Sequence, residues 1–293
     1  MILIKSLIGL KKIINKLVQM KKKKLIAIGD IHGRDTWKFK LFGSSYEFET
    51  WVTQSVNNDI VDFMADQYPF GQYDKIIFIG DYVDSFTVNN IQMKKNLEDI
   101  ILFKKACPDK VVLLLGNHDV QYIVDNMRCS GFRPEMKWDF GDIFNKNIDL
   151  FTMAYVVDTS HYPTLFTHAG VTTEWVEELR EEFRNDVSHK RDMFSEHAED
   201  PIPELINSAW AFRMSSLFNV DSASGGSSKW AGCLWVRPAK LKKYGVSGYD
   251  QVVGHTPVKS VQTHPIKDGT ENVVHLIDCL EHYDSEDYLE LEY

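Results

Sequence analysis

Five apolar runs in this 293-residue chain stop at residues that can bind metal or move protons. Residues 25–28 lead into Gly29-Asp30-Ile31-His32-Gly33, and residues 75–79 into Gly80-Asp81-Tyr82-Val83-Asp84. Residues 111–115 lead into Gly116-Asn117-His118-Asp119, and two later runs end in Phe166-Thr167-His168-Ala169-Gly170 and Val253-Gly254-His255-Thr256-Pro257. Together Asp30, His32, Asp81, Asn117, His168 and His255 offer carboxylate, amide and imidazole donors, and His118 and Asp84 add one more of each titratable kind. That mixture suits Mn²⁺, Fe or Zn²⁺, whereas Mg²⁺ and Ca²⁺ take almost only oxygen. A carboxylate can bridge two cations, and two ions roughly 3.5–4 Å apart activate water and clamp both ends of an in-line displacement. Each piece alone has an ordinary explanation. Gly-Asn-His-Asp could be a turn, and a lone histidine after a strand is commonly a satisfied polar residue. Five such endings in one chain are not explained that way.

The elements that position these residues read as α/β, because short apolar runs alternate with amphipathic stretches. Strands are expected at 25–29, 75–80, 111–116, 154–157, 164–168, 251–254, 262–264, 273–277 and 288–291. Helices are expected at about 46–67, 89–107, 174–185 and 204–218. In open α/β sheets ligands bind beyond the carboxyl ends of the strands, which is where the candidate residues stand. The Gly/Ser-rich stretch 221–229 reads as a mobile surface loop. Residues 24–293 read as one domain, with 128–146 and 188–230 as insertions around the site.

A hydrophobic content of 44% with 26% charged residues is that of a globular protein. The net charge of −9 argues against general binding to nucleic-acid backbone, but not against a small phosphorylated substrate, since bound cations reverse the local potential. Four scattered cysteines without a CxxC pair point to reduced thiols and a cytoplasmic setting.

Residues 1–23 form a basic, amphipathic extension. Eight of the chain's 33 basic residues precede Asp30, and no acid does. Leu3, Leu7, Leu10, Ile14 and Leu17 recur at helical spacing, with lysines on the other face. Such a helix could touch an anionic membrane surface weakly through residues 1–20. Its lysines interrupt it too often for a membrane span, and no signal-peptide cleavage site follows. Plainer readings are an internal start at Met20 or packing on the body.

At the five endings the chain resembles the calcineurin-like metallophosphoesterase superfamily, whose blocks read GD-x-HG, GD-x-x-D(RG), GNH(D/E), H-(A/G)-G and GH. They occur here in order from residue 29 to residue 257, except for the bracketed RG. Gly254-His255-Thr256-Pro257 lacks the second histidine of the GHxH form, which is similar to the phosphoprotein-phosphatase branch and to the bacterial symmetric dinucleoside-tetraphosphatase relatives. Leu234-Trp235-Val236-Arg237 resembles the L-W-x-R segment of bacterial dinucleoside-tetraphosphatase relatives.

The resemblance implies a four-layer α/β/β/α sandwich with a dinuclear metal site at the carboxyl ends of its strands. It implies that Asp30, His32 and Asp81 hold one ion, with manganese first in line. Asp81 would bridge to a second ion that Asn117, His168 and His255 complete. It implies His118 as general acid, Asp84 as its orienting carboxylate and Arg237 as phosphate clamp. Ser85 and Phe86 stand where the family has Arg-Gly, so one clamp is missing, and Arg34 is the candidate to replace it. The longer stretch 46–73 is expected to add a helix beside the site. The reading is a metal-dependent phosphatase acting on phosphomonoesters of a phosphoprotein kind. The alternative is a nucleotide enzyme, a dinucleoside polyphosphate hydrolase or a phosphodiesterase or nuclease, with Tyr82, Phe86, Trp230 and Trp235 available for base stacking. A non-catalytic binding module would have lost ligand residues, and none is missing here.

Overall fold

The computed structural model describes residues 22–56, 65–125, 127–185, 195–267, 269–280 and 287–293. The expected amphipathic helix at the N-terminus lies outside these residues. No helix among the described residues is long and apolar enough to cross a membrane.

Two five-stranded sheets carry the fold. The first has the order β10-β1-β2-β3-β4, from β1 (Lys24–Ile28), β2 (Lys75–Phe78), β3 (Val111–Leu114), β4 (Phe151–Thr152) and β10 (Leu289–Glu292). The second has the order β5-β6-β7-β9-β8, from β5 (Ala154–Val157), β6 (Thr164–Thr167), β7 (Asp250–Val253), β8 (Gln262–Pro265) and β9 (Val273–Leu276). Strands β1 to β4 run parallel, as do β6, β7 and β9, while β10, β5 and β8 are antiparallel edges.

The two-residue period of a strand sorts its side chains between layers. Leu25, Ala27, Ile77, Val112 and Leu114 face Val157, Phe166 and Val252 between the sheets. Ile26, Ile28, Ile76, Phe78 and Leu113 point the other way, under helices. These are α1 (Thr36–Phe42), α2 (Ser45–Trp51), α3 (Asn90–Ala106) and α5 (Lys137–Lys146), with the short α4 (Asn117–Val120) at the end of β3. Behind the second sheet lie α6 (Thr173–Asn185), α7 (Ile202–Phe212) and α8 (Pro238–Tyr244). The architecture is the expected α/β/β/α sandwich.

Three expectations change. The helix expected over 46–67 appears as α2, capped by Ser44 accepting from the Glu47 amide at 3.0 Å, and continues as a π-helical turn, Val52–Val56. None of its described residues lines the cavity at the strand ends. Its Phe48 and Trp51 are apolar enough to be drawn under the sheet, among Trp37, Phe42, Phe70 and Phe103. The helix expected over 204–218 ends at Phe212, because Arg213 takes a left-handed conformation at its C-cap. The stretch 221–229 is pinned rather than loose. Asp221 is buried, accepts from the Ala223 and Ser224 amides, and pairs with Lys240 at 2.7 Å.

Candidate active site

Six parallel strands, three from each sheet, end on one small cavity of about 240 Å³. β1 delivers Asp30 and His32, β2 Asp81 and Asp84, and β3 Asn117 and His118. β6 delivers His168, β7 His255 and β9 Asp278. Glycines allow the ends to converge. A Cβ on Gly254 would lie 1.9 Å from Asp30 Oδ1, and one on Gly116 would lie 2.1 Å from Asp81 Oδ1. Hydrogen bonds then sew neighbouring ends together. The His32 amide donates to the Asp81 carbonyl (2.9 Å), the His255 amide to Asp30 Oδ2 (2.8 Å) and the His118 amide to Asp81 Oδ1 (2.9 Å). His32, Asp81, Asp84 and His255 all have positive φ, between 44° and 68°. Backbone strain of this kind persists where surrounding structure enforces it, typically at functional sites.

The donor set fits divalent cations. Ligand atoms of Asp30, His32 and Asp81 all lie within 4.8 Å of one another. Beside them, His168 Nε2 is 2.8 Å from Asn117 Oδ1 and 3.4 Å from Asp81 Oδ2, and His255 Nδ1 is 3.0 Å from the same amide oxygen. His168 Nδ1 lies 3.0 Å from the Ile79 carbonyl and must donate to it, which leaves a lone pair on Nε2. Burial lowers the basicity of His168 and, further, of His255, so both rings stay neutral. A bare imidazole nitrogen 2.8 Å from an amide oxygen is a lone pair facing a lone pair, an arrangement that a cation satisfies. His32 is prepared in the same way, its Nδ1 lying 2.9 Å from the Val83 carbonyl and its Nε2 turned toward Asp81. Asp30 Oδ1 and His255 Nε2 are buried without a hydrogen-bond partner. Burial, then the charges of Asp278 and Asp81, push the Asp30 carboxyl well above its usual range. A bound cation would relieve all of this.

His118 stands at the cavity wall, with Nδ1 3.2 Å from Asp84 Oδ2. Asp84 is fully buried and is also held by the Tyr122 hydroxyl and the Gln121 amide. Arg237 borders the cavity, donating to Ser224 Oγ (3.1 Å) and Thr256 Oγ1 (3.2 Å). Arg34 is not among the residues lining the cavity and donates to Thr87 Oγ1 at 3.2 Å. At the position of the missing family arginine, Ser85 is buried and caps the turn through the Thr87 and Val88 amides. Arg133 reaches that loop from a distance and is used up on the Ser85 and Val88 carbonyls and on Asn90. Of the four aromatics considered for base stacking, Phe86 and Trp235 line the cavity. Tyr82 is buried with its hydroxyl on the Leu114 carbonyl, and Trp230 packs on Tyr244.

Four residues around the site were given no role by the sequence reading. Asp278 lines the cavity from β9, where Ile277 rather than a glycine precedes the acid. Asp119 accepts from the amides of Gly116 (2.9 Å), Asp81 (2.8 Å) and Tyr82 (2.8 Å), locking the β2 and β3 ends together. Gln121 holds Asp84. Cys129 also lines the cavity, and the Asn117 side-chain amide donates to its sulfur at 3.3 Å, which turns the amide oxygen toward His168 and His255. A short apolar run followed by Asp was the available signal for Asp278. Cys129 had none.

Residues 23–259 match the sequence profile of the calcineurin-like phosphoesterases. No curated protein matches the chain. Among solved structures, a cold-active protein-tyrosine phosphatase of a psychrophilic Shewanella species aligns with a TM-score of 0.50 at 15% identity, covering 92% of this chain and 76% of that one. The phosphatase domain of the Legionella effector WipB aligns at 0.36 and 12% identity, over 66% of this chain and 83% of that one. A phosphopantetheinyl hydrolase from Mycobacterium tuberculosis aligns at 0.34 and 12%, over 92% and 96%. At 15% identity the first of these likenesses concerns the fold alone.

Proposed function

This chain belongs to the calcineurin-like phosphoesterases and is a hydrolase of phosphoric esters, and on that premise we propose that it is a phosphomonoesterase working with two divalent ions, manganese foremost. The observation that carries the reading is the cluster of electron-pair donors around Asn117, in which neutral His168 and His255 face one amide oxygen beside Asp81. Asp30, His32 and Asp81 would hold one ion. Asp81, Asn117, His168 and His255 would hold the other. Bound there, the ions supply Lewis-acid charge and make water nucleophilic at neutral pH.

The chain's own residues do the rest. His118 protonates the leaving oxygen. Burial alone would weaken it as a base, but in the metal-free protein the charges of Asp81 and Asp84 outweigh burial and push it up to about 9; with cations on Asp81, the Asp84 carboxylate 3.2 Å from Nδ1 is the group that favours the protonated ring. Asp84, clamped by Tyr122 and Gln121, fixes the direction of that ring. Arg237 offers its planar fork to the non-bridging phosphate oxygens. Arg34 would have to leave Thr87 to help. We read residues 24–293 as one domain, since a single apolar cluster runs from Ile26 to Leu280. The four free thiols favour the cytoplasm. Phe86 and Trp235 at the cavity mouth support a second reading, hydrolysis of a nucleotide substrate.

Metal removal tests the proposal. Chelation should abolish hydrolysis of an aryl phosphate, and Mn²⁺ should restore it. Full turnover by protein shown by elemental analysis to be metal-free would end the reading.

A further inference from the structure

The stretch 221–229 reads as a loose loop in the sequence, yet it is a tight turn built around one buried carboxylate. Asp221 Oδ1 accepts from the Ala223 amide (3.0 Å) and the Ser224 amide (3.2 Å). The Asp221 carbonyl accepts from the Ser224 amide (3.0 Å) and the Gly226 amide (2.8 Å). Gly225 takes a left-handed φ of 84°, and a Cβ on Gly226 would lie 2.0 Å from the Val220 carbonyl oxygen. Only glycine allows so close a return of the chain. The turn therefore holds Ser224 in one place.

The Ser224 hydroxyl has a single hydrogen, which it donates to the Trp235 carbonyl at 3.2 Å. Its lone pairs are left to accept, and Arg237 Nε donates to them at 3.1 Å. Arg237 Nη1 donates to Thr256 Oγ1 (3.2 Å) and to the His255 carbonyl (3.4 Å). Three of the five guanidinium hydrogens are thus taken. The two on Nη2 have no protein acceptor among the described residues, and Arg237 borders the metal cavity.

All three acceptors are neutral. The carboxylate of the turn, Asp221, is paired with Lys240 at 2.7 Å, and among the described residues Arg237 pairs with no carboxylate. For an anion the difference matters. A guanidinium bridged to a carboxylate must exchange partners before it can hold phosphate. One held by two hydroxyls and a carbonyl keeps both its place and its charge.

We infer that Ser224 is a positioning residue for phosphate: carried by the Asp221 turn, it fixes the Arg237 guanidinium without spending the charge that the anion needs. The inference rests on the reading of Arg237 as phosphate clamp. It gives the turn a task in a chain where Ser85 stands in place of the family's other arginine.

The test measures binding of inorganic phosphate to the Mn²⁺-loaded protein by calorimetry, beside kcat and KM for an aryl phosphate. Ser224→Ala should weaken phosphate binding and raise KM by about tenfold, with metal content unchanged by elemental analysis. Ser224→Thr, which keeps the hydroxyl, should restore most of the loss. Because Ser224 acts through Arg237, adding Ser224→Ala to Arg237→Ala should cost nothing further in kcat/KM. Ser224→Gly takes the place of the alanine variant if a methyl group disturbs the turn. Phosphate held as tightly by the Ser224 variants as by wild type, while Arg237→Ala holds it weakly, would overturn the inference and leave the clamp standing. Additive losses in the double variant would also overturn it. Phosphate binding unmoved by Arg237→Ala would bring down the clamp and this inference with it. Protein that binds phosphate through Arg237 yet never hydrolyses an aryl phosphate would end the functional reading alone.

Discussion

Around Phe42, six aromatic rings (Trp37, Phe48, Trp51, Tyr68, Phe70 and Phe103) have centroids 5.0–6.1 Å away, offset or edge-on. Around Asp81 the neighbours are carboxylates, imidazoles with lone pairs turned inward, and backbone in left-handed conformations. The first region packs on one sheet, whereas the second is assembled from strand ends of both. The first gains stability from area and ring geometry. The second gives up stability, concentrating like charge and strain that only a ligand can relieve. The two should therefore respond oppositely to mutation.

The sharpest difference is expected at Asp81. On the proposed function Asp81→Asn would remove a charge from between two cations and should cost roughly three orders of magnitude or more in turnover, together with bound metal. If the variant keeps two metals and normal turnover, Asp81 is no shared ligand. His118→Asn should keep its metals and lose about 10²–10⁴ in kcat, less for leaving groups of low pKa that need no proton. Equal losses across leaving groups would make His118 structural.

Phe42→Ala should show the reverse. It should cost about 3–5 kcal/mol of stability, measured by denaturant unfolding, while folded protein turns over at the wild-type rate. A large kcat defect would show that the aromatic layer and the site are coupled. The smallest effect concerns Asp30. In metal-free protein its folded-state pKa is raised, by burial first and then by Asp278 and Asp81. Its contribution then favours folding at pH below the ordinary carboxylate range and is lost as pH rises through the raised value. Asp30→Asn should flatten that dependence and raise the metal-free Tm near neutrality by roughly 2–4 °C per kcal/mol relieved. A lower Tm for metal-free Asp30→Asn would show that the charge is well accommodated without metal.

Much of this was legible in the chain itself. The strand positions followed from apolar runs, and the site from what ends them, because both signals are local: a two-residue period sorts faces, and a glycine before Asp or His marks a sharp turn. Asp30, His32, Asp81, Asn117, His168 and His255 could be picked out and do converge. The fate of the 46–56 helix could not be seen, since amphipathicity says that Phe48 and Trp51 are buried but not under which surface.

The remaining decisions belong to packing. Asp278 joined the site because β9 lies beside β7, a pairing that no local pattern encodes. Cys129 became the partner of Asn117, and Asp119 the lock on two strand ends, only through hydrogen bonds set by the folded loops. Ser224 and Thr256 lie 32 positions apart in the chain and meet at Arg237 because the turn after Asp221 comes back to the end of β7. Local sequence determines which residues can do chemistry. Which of them meet, and which stay without a partner, is decided by long-range contacts whose energies depend on the whole fold.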